Sequence, residues 1–113
     1  MTSQTIGQTA RVRVLNDNFR ATFLGGRVVM TQGVNELPLG VKANVLLMVK
    51  RFDNFTRDND PYGEHDFGCF EFAVETFYWK IDYYGTDLQS GSEDPGNPEM
   101  TTRVLTIMLA AEY

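Results

Sequence analysis

The sequence predicts an α+β fold: a small antiparallel sheet of about three strands packed against two or three helices, in the order α-β-α-β-β-α. Three observations carry this. Apolar residues recur at spacings of three and four in the first half, apolar and polar residues alternate through 67–84, and Gly, Pro and Asn punctuate the segments between. A chain of 113 residues, 42% of them hydrophobic, suffices for one compact domain over 1–113 with a real core, and leaves no room for a separate substrate domain.

From about Thr9 to Phe23, residues Val12, Leu15, Phe19 and Phe23 form one apolar helical stripe, which Gly25 and Gly26 are placed to end. RVVMTQGV (27–34) is β-branched and short, hence a strand. Pro38 stands near the start of a second helix, where its missing N–H is harmless. Val41, Val45, Met48 and Phe52 mark that helix's buried face up to about Asn54. A loop, DNDPYGEHD (58–66), follows. In FGCFEFAVETFYWKIDYY (67–84), a turn at Val74 and Glu75 sets Phe72 opposite Phe77, Phe70 opposite Trp79 and Gly68 opposite Ile81. That register gives one apolar face and turns Glu71, Tyr78, Lys80, Asp82 and Tyr84 the other way. Val and Glu are poor residues for a tight turn, so a register shift or a longer loop stays open. GTDLQSGSEDPGNPEM (85–100) reads as an ordered loop. Thr101 or Thr102 then caps a last helix that buries Val104, Leu105, Met108 and Leu109.

The net charge of −5 hides an asymmetry. Residues 1–52 carry seven Lys or Arg against two carboxylates, whereas residues 53–99 carry two against twelve. Such blocks speak to partners and solubility more than to fold. No run approaches the ~18 apolar residues of a bilayer span, and MTSQTIGQTARV lacks the basic-then-apolar order of a signal peptide, so a cytoplasmic location is expected. The single cysteine, Cys69, excludes an internal disulfide and a cysteine-based zinc site, and is expected to be a small buried apolar residue.

The stretches LNDNFR (15–20), GGRVVMTQGV (25–34), FDNFTRDNDPYGEHDFGCFE (52–71), WKIDYY (79–84), GSEDPGNP (91–98) and TTRVLTIMLAAEY (101–113) resemble a family of small bacterial proteins classed only as a domain of unknown function. The resemblance implies a stand-alone bacterial protein often carried on plasmids and other mobile elements. It brings no established activity, cofactor or catalytic residue. Val74 and Glu75 depart from the family's more turn-like pair at that point.

The loop around the chain's one histidine is the first candidate for chemistry. As a calcium loop starting at Asp58 it supplies Asp60 at position three and Gly63 at six, but Tyr62 at five and Cys69 at twelve, and so fails at two ligands. A transition metal would have only His65 and Cys69 before turning to Glu64, Asp66 and Asp82. No metal site and no cofactor is expected. An enzyme, a small hydrolase for example, would draw on His65, Glu64, Asp66, Asp82, Lys80 and Arg103, provided that the loop meets the polar sheet face. Lys80 and Asp82 share one side of a strand and read more simply as a surface ion pair.

The basic residues are spread over several elements with no reader motif, which argues against direct nucleic-acid binding. The acidic half suggests the reverse: a non-catalytic binding protein that presents carboxylates and tyrosines to a basic protein partner. That would be a nucleic-acid-mimicking inhibitor of a host nucleic-acid-binding or defence system. Its contact residues would be Asp58, Asp60, Tyr62, Glu64, Glu71, Tyr78, Asp82, Tyr84, Asp87 and Glu93. A membrane partner is not expected, and a homodimer stays open.

Overall fold

The computed structural model describes the backbone of residues 2–113 and the side chains of residues 7–113. Three α-helices and a four-stranded mixed sheet run in the order α1 (Thr2–Thr22), β1 (Gly26–Met30), α2 (Gln32–Asn35), α3 (Leu39–Lys50), β2 (Phe67–Phe72), β3 (Glu75–Tyr84) and β4 (Thr102–Leu109). A single 3₁₀ turn follows at Ala110–Glu112. The α+β class holds, with one more strand than the sequence suggested.

The extra strand is the predicted last helix. Thr102–Leu109 is β4, and it lies inside the sheet, whose order is β1-β4-β3-β2. It pairs parallel with β1 and antiparallel with β3, so the sheet is mixed rather than antiparallel. The misreading has a physical cause. A central strand with apolar residues on both faces reads as a nearly continuous apolar run, which helical spacing fits equally well. Here only one face is covered by helices, and Val104 and Thr106 on the other are half-buried. Leu105 and Ile107 are fully buried on one face, and Met108 is 3% exposed on the other.

The β2–β3 hairpin keeps its predicted faces but not its register. Phe72 pairs with Glu75, Phe70 with Phe77 and Gly68 with Trp79, so the turn is Ala73–Val74 and the pairing shifts by two residues. A shift of two preserves which side chains share a face. Ala73 (φ +52°) and Val74 (φ +58°) are both left-handed, the backbone that a two-residue hairpin turn of this kind demands. Cys69, expected to be buried, points outward from β2 and is exposed.

The α1 stripe forms, with Val12 and Phe19 buried and Leu15 and Phe23 partly covered. On α3 Val45 is buried as expected, but its second buried residue is Val49, while Val41 and Met48 are only partly covered. The helix α1 stops one residue before Phe23, whose φ is +60°, and Gly25 (φ +96°) continues the reversal. The predicted strand at 27–34 ends at Met30, because Thr31 leads into the short α2. The helix α3 ends at Lys50, and Phe52 folds back beyond it into the core. Phe19, Val45, Val49, Phe52, Trp79, Ile81 and their neighbours fill the space between the helices and one face of the sheet. No helix of the described residues is long and apolar enough to cross a membrane.

Candidate functional site

Polar residues occupy the buried stripe of α1 between its apolar ones. Asn16 is completely buried and Arg20 is 5% exposed. Four residues apart, they face the sheet one turn above the other. Around them, the loop 53–66, β3 and β4 build a network in two connected halves.

In the first half, Asn16 joins three elements. Its Nδ2 donates to the Glu64 carbonyl (2.9 Å) and to Tyr83 Oη (2.8 Å), while its Oδ1 accepts from Arg103 Nε (2.8 Å). Tyr83 Oη in turn donates to Glu64 Oε1 at 2.8 Å. Arg103, 3% exposed, also donates to the Pro95 carbonyl and lies over the Tyr83 ring, 5.3 Å from its centroid. Among the described residues no carboxylate forms a salt bridge with it. Burial pushes the Arg103 guanidinium below its usual value, against the pull of Tyr83 and Glu64. Burial likewise pushes the Tyr83 phenol far up, and it stays a neutral donor. The half is a satisfied polar core, with one charge held by neutral acceptors.

The second half holds the histidine. His65 Nδ1 lies 2.8 Å from Asp17 Oδ1, and Nε2 lies 3.6 Å from Asp60 Oδ2. The His65 backbone N–H donates to Asp60 Oδ1 at 3.1 Å, which fixes the residue at φ +56°. Its ring stacks on Phe55 with centroids 3.7 Å apart and planes within 2°. Asp17 Oδ1 also accepts from Arg20 Nη1 at 3.3 Å. Arg20 goes on to donate to the Val49 and Phe52 carbonyls (3.1 and 2.9 Å), closing the C-terminal end of α3, and sits over Phe55 and Trp79. Arg13 donates to the Gly63 carbonyl at 2.9 Å and ties the same loop to α1.

The candidate catalytic residues therefore do not form one group. Glu64 and Arg103 meet Tyr83 on the helix-covered face, and His65 takes Asp17 and Asp60 as partners. Lys80 and Asp82 point to the opposite face, where they pair with each other at 2.9 Å. Asp66 is half-buried; burial, and then Glu64, raise its carboxyl, and its backbone carbonyl accepts from the Ile81 N–H. Four surface cavities are lined by other residues, and His65 lines none of them. Among the described residues, no three of His, Cys, Asp and Glu assemble into a metal-holding group.

Of the candidate contact residues, Asp58, Tyr62 (81% exposed), Glu71, Asp87 and Glu93 reach solvent. Asp60 and Glu64 are spent on the loop and on Tyr83. Tyr78, Asp82 and Tyr84 lie on the sheet face that no helix covers. The loop entering β2, which carries Asp58 and Tyr62, and the loop leaving β3, which carries Asp87 and Glu93, start from the same end of the sheet, while Glu71 lies toward the hairpin.

The family of Protein of unknown function (DUF3768) matches residues 30–112. The chain belongs to this family. No curated protein and no solved structure matches it. The DUF3768 stretch contains Glu64, His65, Tyr83 and Arg103, and it begins after α1, which supplies Asn16, Asp17 and Arg20. Those three, together with Tyr83, Arg13 and Phe55, are the members that sequence reasoning passed over. The signal was present in LNDNFR, where an Asn and an Arg one turn apart interrupt an apolar stripe.

Proposed function

We propose that this chain is a non-catalytic binding protein that offers its carboxylate-rich end to a protein partner with a basic surface. One observation supports this most. Among the described residues, no salt bridge joins a Lys or Arg of residues 1–52 to a carboxylate of residues 53–99. No described Lys or Arg of the first block pairs directly with a carboxylate of the second, which leaves the exposed carboxylates of the second available to a partner. Asp87, Glu93 and Glu99 surround an open cavity of about 410 Å³ beside the exposed loop, with Tyr84 close by on β3. Carboxylates and tyrosines set out in this way are suited to a groove that ordinarily takes phosphates, and the finer reading is an inhibitor of a nucleic-acid-binding protein.

The test is capture on immobilised protein, comparing wild type with the Asp58→Lys, Asp87→Lys, Glu93→Lys, Glu99→Lys variant. A partner that elutes as salt rises, is lost on the variant at unchanged Tm, and gives up its own nucleic acid on binding fits the reading. Exposed charges are screened over about 8 Å at physiological salt, so the salt dependence is diagnostic. A partner held equally by the variant and insensitive to salt would sink it.

One contact favours a second reading, a small hydrolase around Glu64, His65 and Asp66: the 2.8 Å approach of His65 to Asp17, a pairing that orients an imidazole for proton transfer. Turnover of an ester or phosphoester panel that His65→Gln abolishes at unchanged Tm would favour it over binding.

A further inference from the structure

We propose that the outer edge of β2 is a strand-addition site for an extended segment of another protein whose side chains alternate apolar and basic. The first ground is the hydrogen-bonding pattern. Phe72 and Glu75 flank a two-residue turn, and the Ile81 N–H donates to the Asp66 carbonyl, so residues 66, 68, 70 and 72 bond to β3. In an antiparallel pair the intervening residues direct their N–H and C=O groups the other way. Phe67, Cys69 and Glu71 therefore present theirs outward, and among the described residues no backbone group accepts them. The strand carries no proline and its register has no bulge, two of the devices that protect a free edge.

The second ground is what flanks the edge. On the helix-covered side, a cavity of about 360 Å³ is lined by Met48, Phe52, Phe70 and Cys69, with Arg51 and Asp53 also lining it. A side chain opposite Phe70 on an added strand would enter it, which calls for an apolar residue. On the other side lie Glu71 and the aromatic pair Phe67 and Tyr78, whose ring centroids are 5.4 Å apart and which Tyr113 joins edge-on. A basic side chain there pairs with Glu71 or lies against the rings. Asp53, Glu71 and Glu75 outnumber Arg51 around the edge, Lys80 opposite Phe67 being paired with Asp82, so a second copy of this acidic chain would meet like charge. The proposal rests on the binding reading above only for the sign of the partner's charge.

The test uses the full chain, isotopically labelled, and two short synthetic peptides: one alternating Val and Lys, one alternating Val and Glu. The Val/Lys peptide is expected to shift the amide resonances of Phe67, Cys69 and Glu71 and to slow their exchange with solvent, and the Val/Glu peptide to leave them unchanged. Cys69→Pro removes an outward donor that β3 does not use, and should weaken binding about tenfold or more. If that variant does not fold, Glu71→Lys serves instead and should reverse the preference between the peptides. Unshifted edge amides would overturn the proposal, as would unchanged binding by a folded Cys69→Pro. A dimer of the free protein that Cys69→Pro abolishes would assign the edge to a second copy and overturn it too. Edge protection by the Val/Lys peptide in the variant reversed at Asp58, Asp87, Glu93 and Glu99 separates this site from the acidic end.

Discussion

Asn16 is the residue on which most of the buried polar network depends, because one amide satisfies a charged donor, a phenol and a backbone carbonyl on three separate elements. Its replacement by Ala leaves Arg103 without its Oδ1 acceptor, and the loss is expected to be about 3 kcal/mol, the upper end for one unsatisfied buried group. A urea midpoint close to wild type would refute that weight. Gly68 matters through what it lacks. A Cβ there would overlap the Trp79 indole, which is fully buried, and neither the strand nor the core has slack to give. Gly68→Ala is expected to destabilise by about 1–3 kcal/mol, the usual range for overpacking, in the same denaturation assay. The segment around His65 was legible as a loop, but the contacts that hold it were not. Asp17 and Asn16 lie roughly fifty positions upstream, and no local pattern links positions so far apart.

At the level of elements, the C-terminal turn acts as a clasp. Glu112 accepts from Thr31 Oγ1 (2.6 Å), the Gly33 N–H (2.8 Å) and the Leu109 N–H (3.0 Å), joining the end of β4 to the start of α2. These donors hold its carboxyl below the ordinary 4.5, Thr31 most of all. A carboxylate with a lowered folded-state pKa contributes stability in full above its unfolded value and loses it as pH falls through the folded one. Glu112→Gln is therefore expected to lower Tm at pH 7, and its deficit should shrink once the pH drops below about 4.5. A deficit unchanged at acid pH would show that the clasp works by shape and not by charge. The hairpin faces were readable from alternation alone, because only one side of β2 and β3 is covered. The strand β4 was not, for it places Val104 and Met108 on the face opposite Leu105 and Ile107, and its Val-Leu-Thr-Ile-Met-Leu run carries no single period.

Over the whole molecule, charge and topology were legible to different degrees. The division into a basic and an acidic block is a property of composition and survives folding, since no described salt bridge joins a Lys or Arg of the first block to a carboxylate of the second. The strand order depends on pairing between distant segments, which composition does not carry. Gly26 pairs with Arg103 and Met30 with Ile107, so the strand that joins β1 to the hairpin is made of the last-synthesised part of the sheet. Non-local pairing of this kind slows folding, because the chain must close a long loop before any contact rewards it. While residues 102–109 are still inside the ribosome, β1 has no partner and β3 exposes the side where β4 belongs. Until that stretch emerges, the nascent chain carries a sheet missing its middle. Its period of greatest exposure to aggregation and to chaperones lasts until residues 102–109 emerge, when a single strand must insert between two waiting edges.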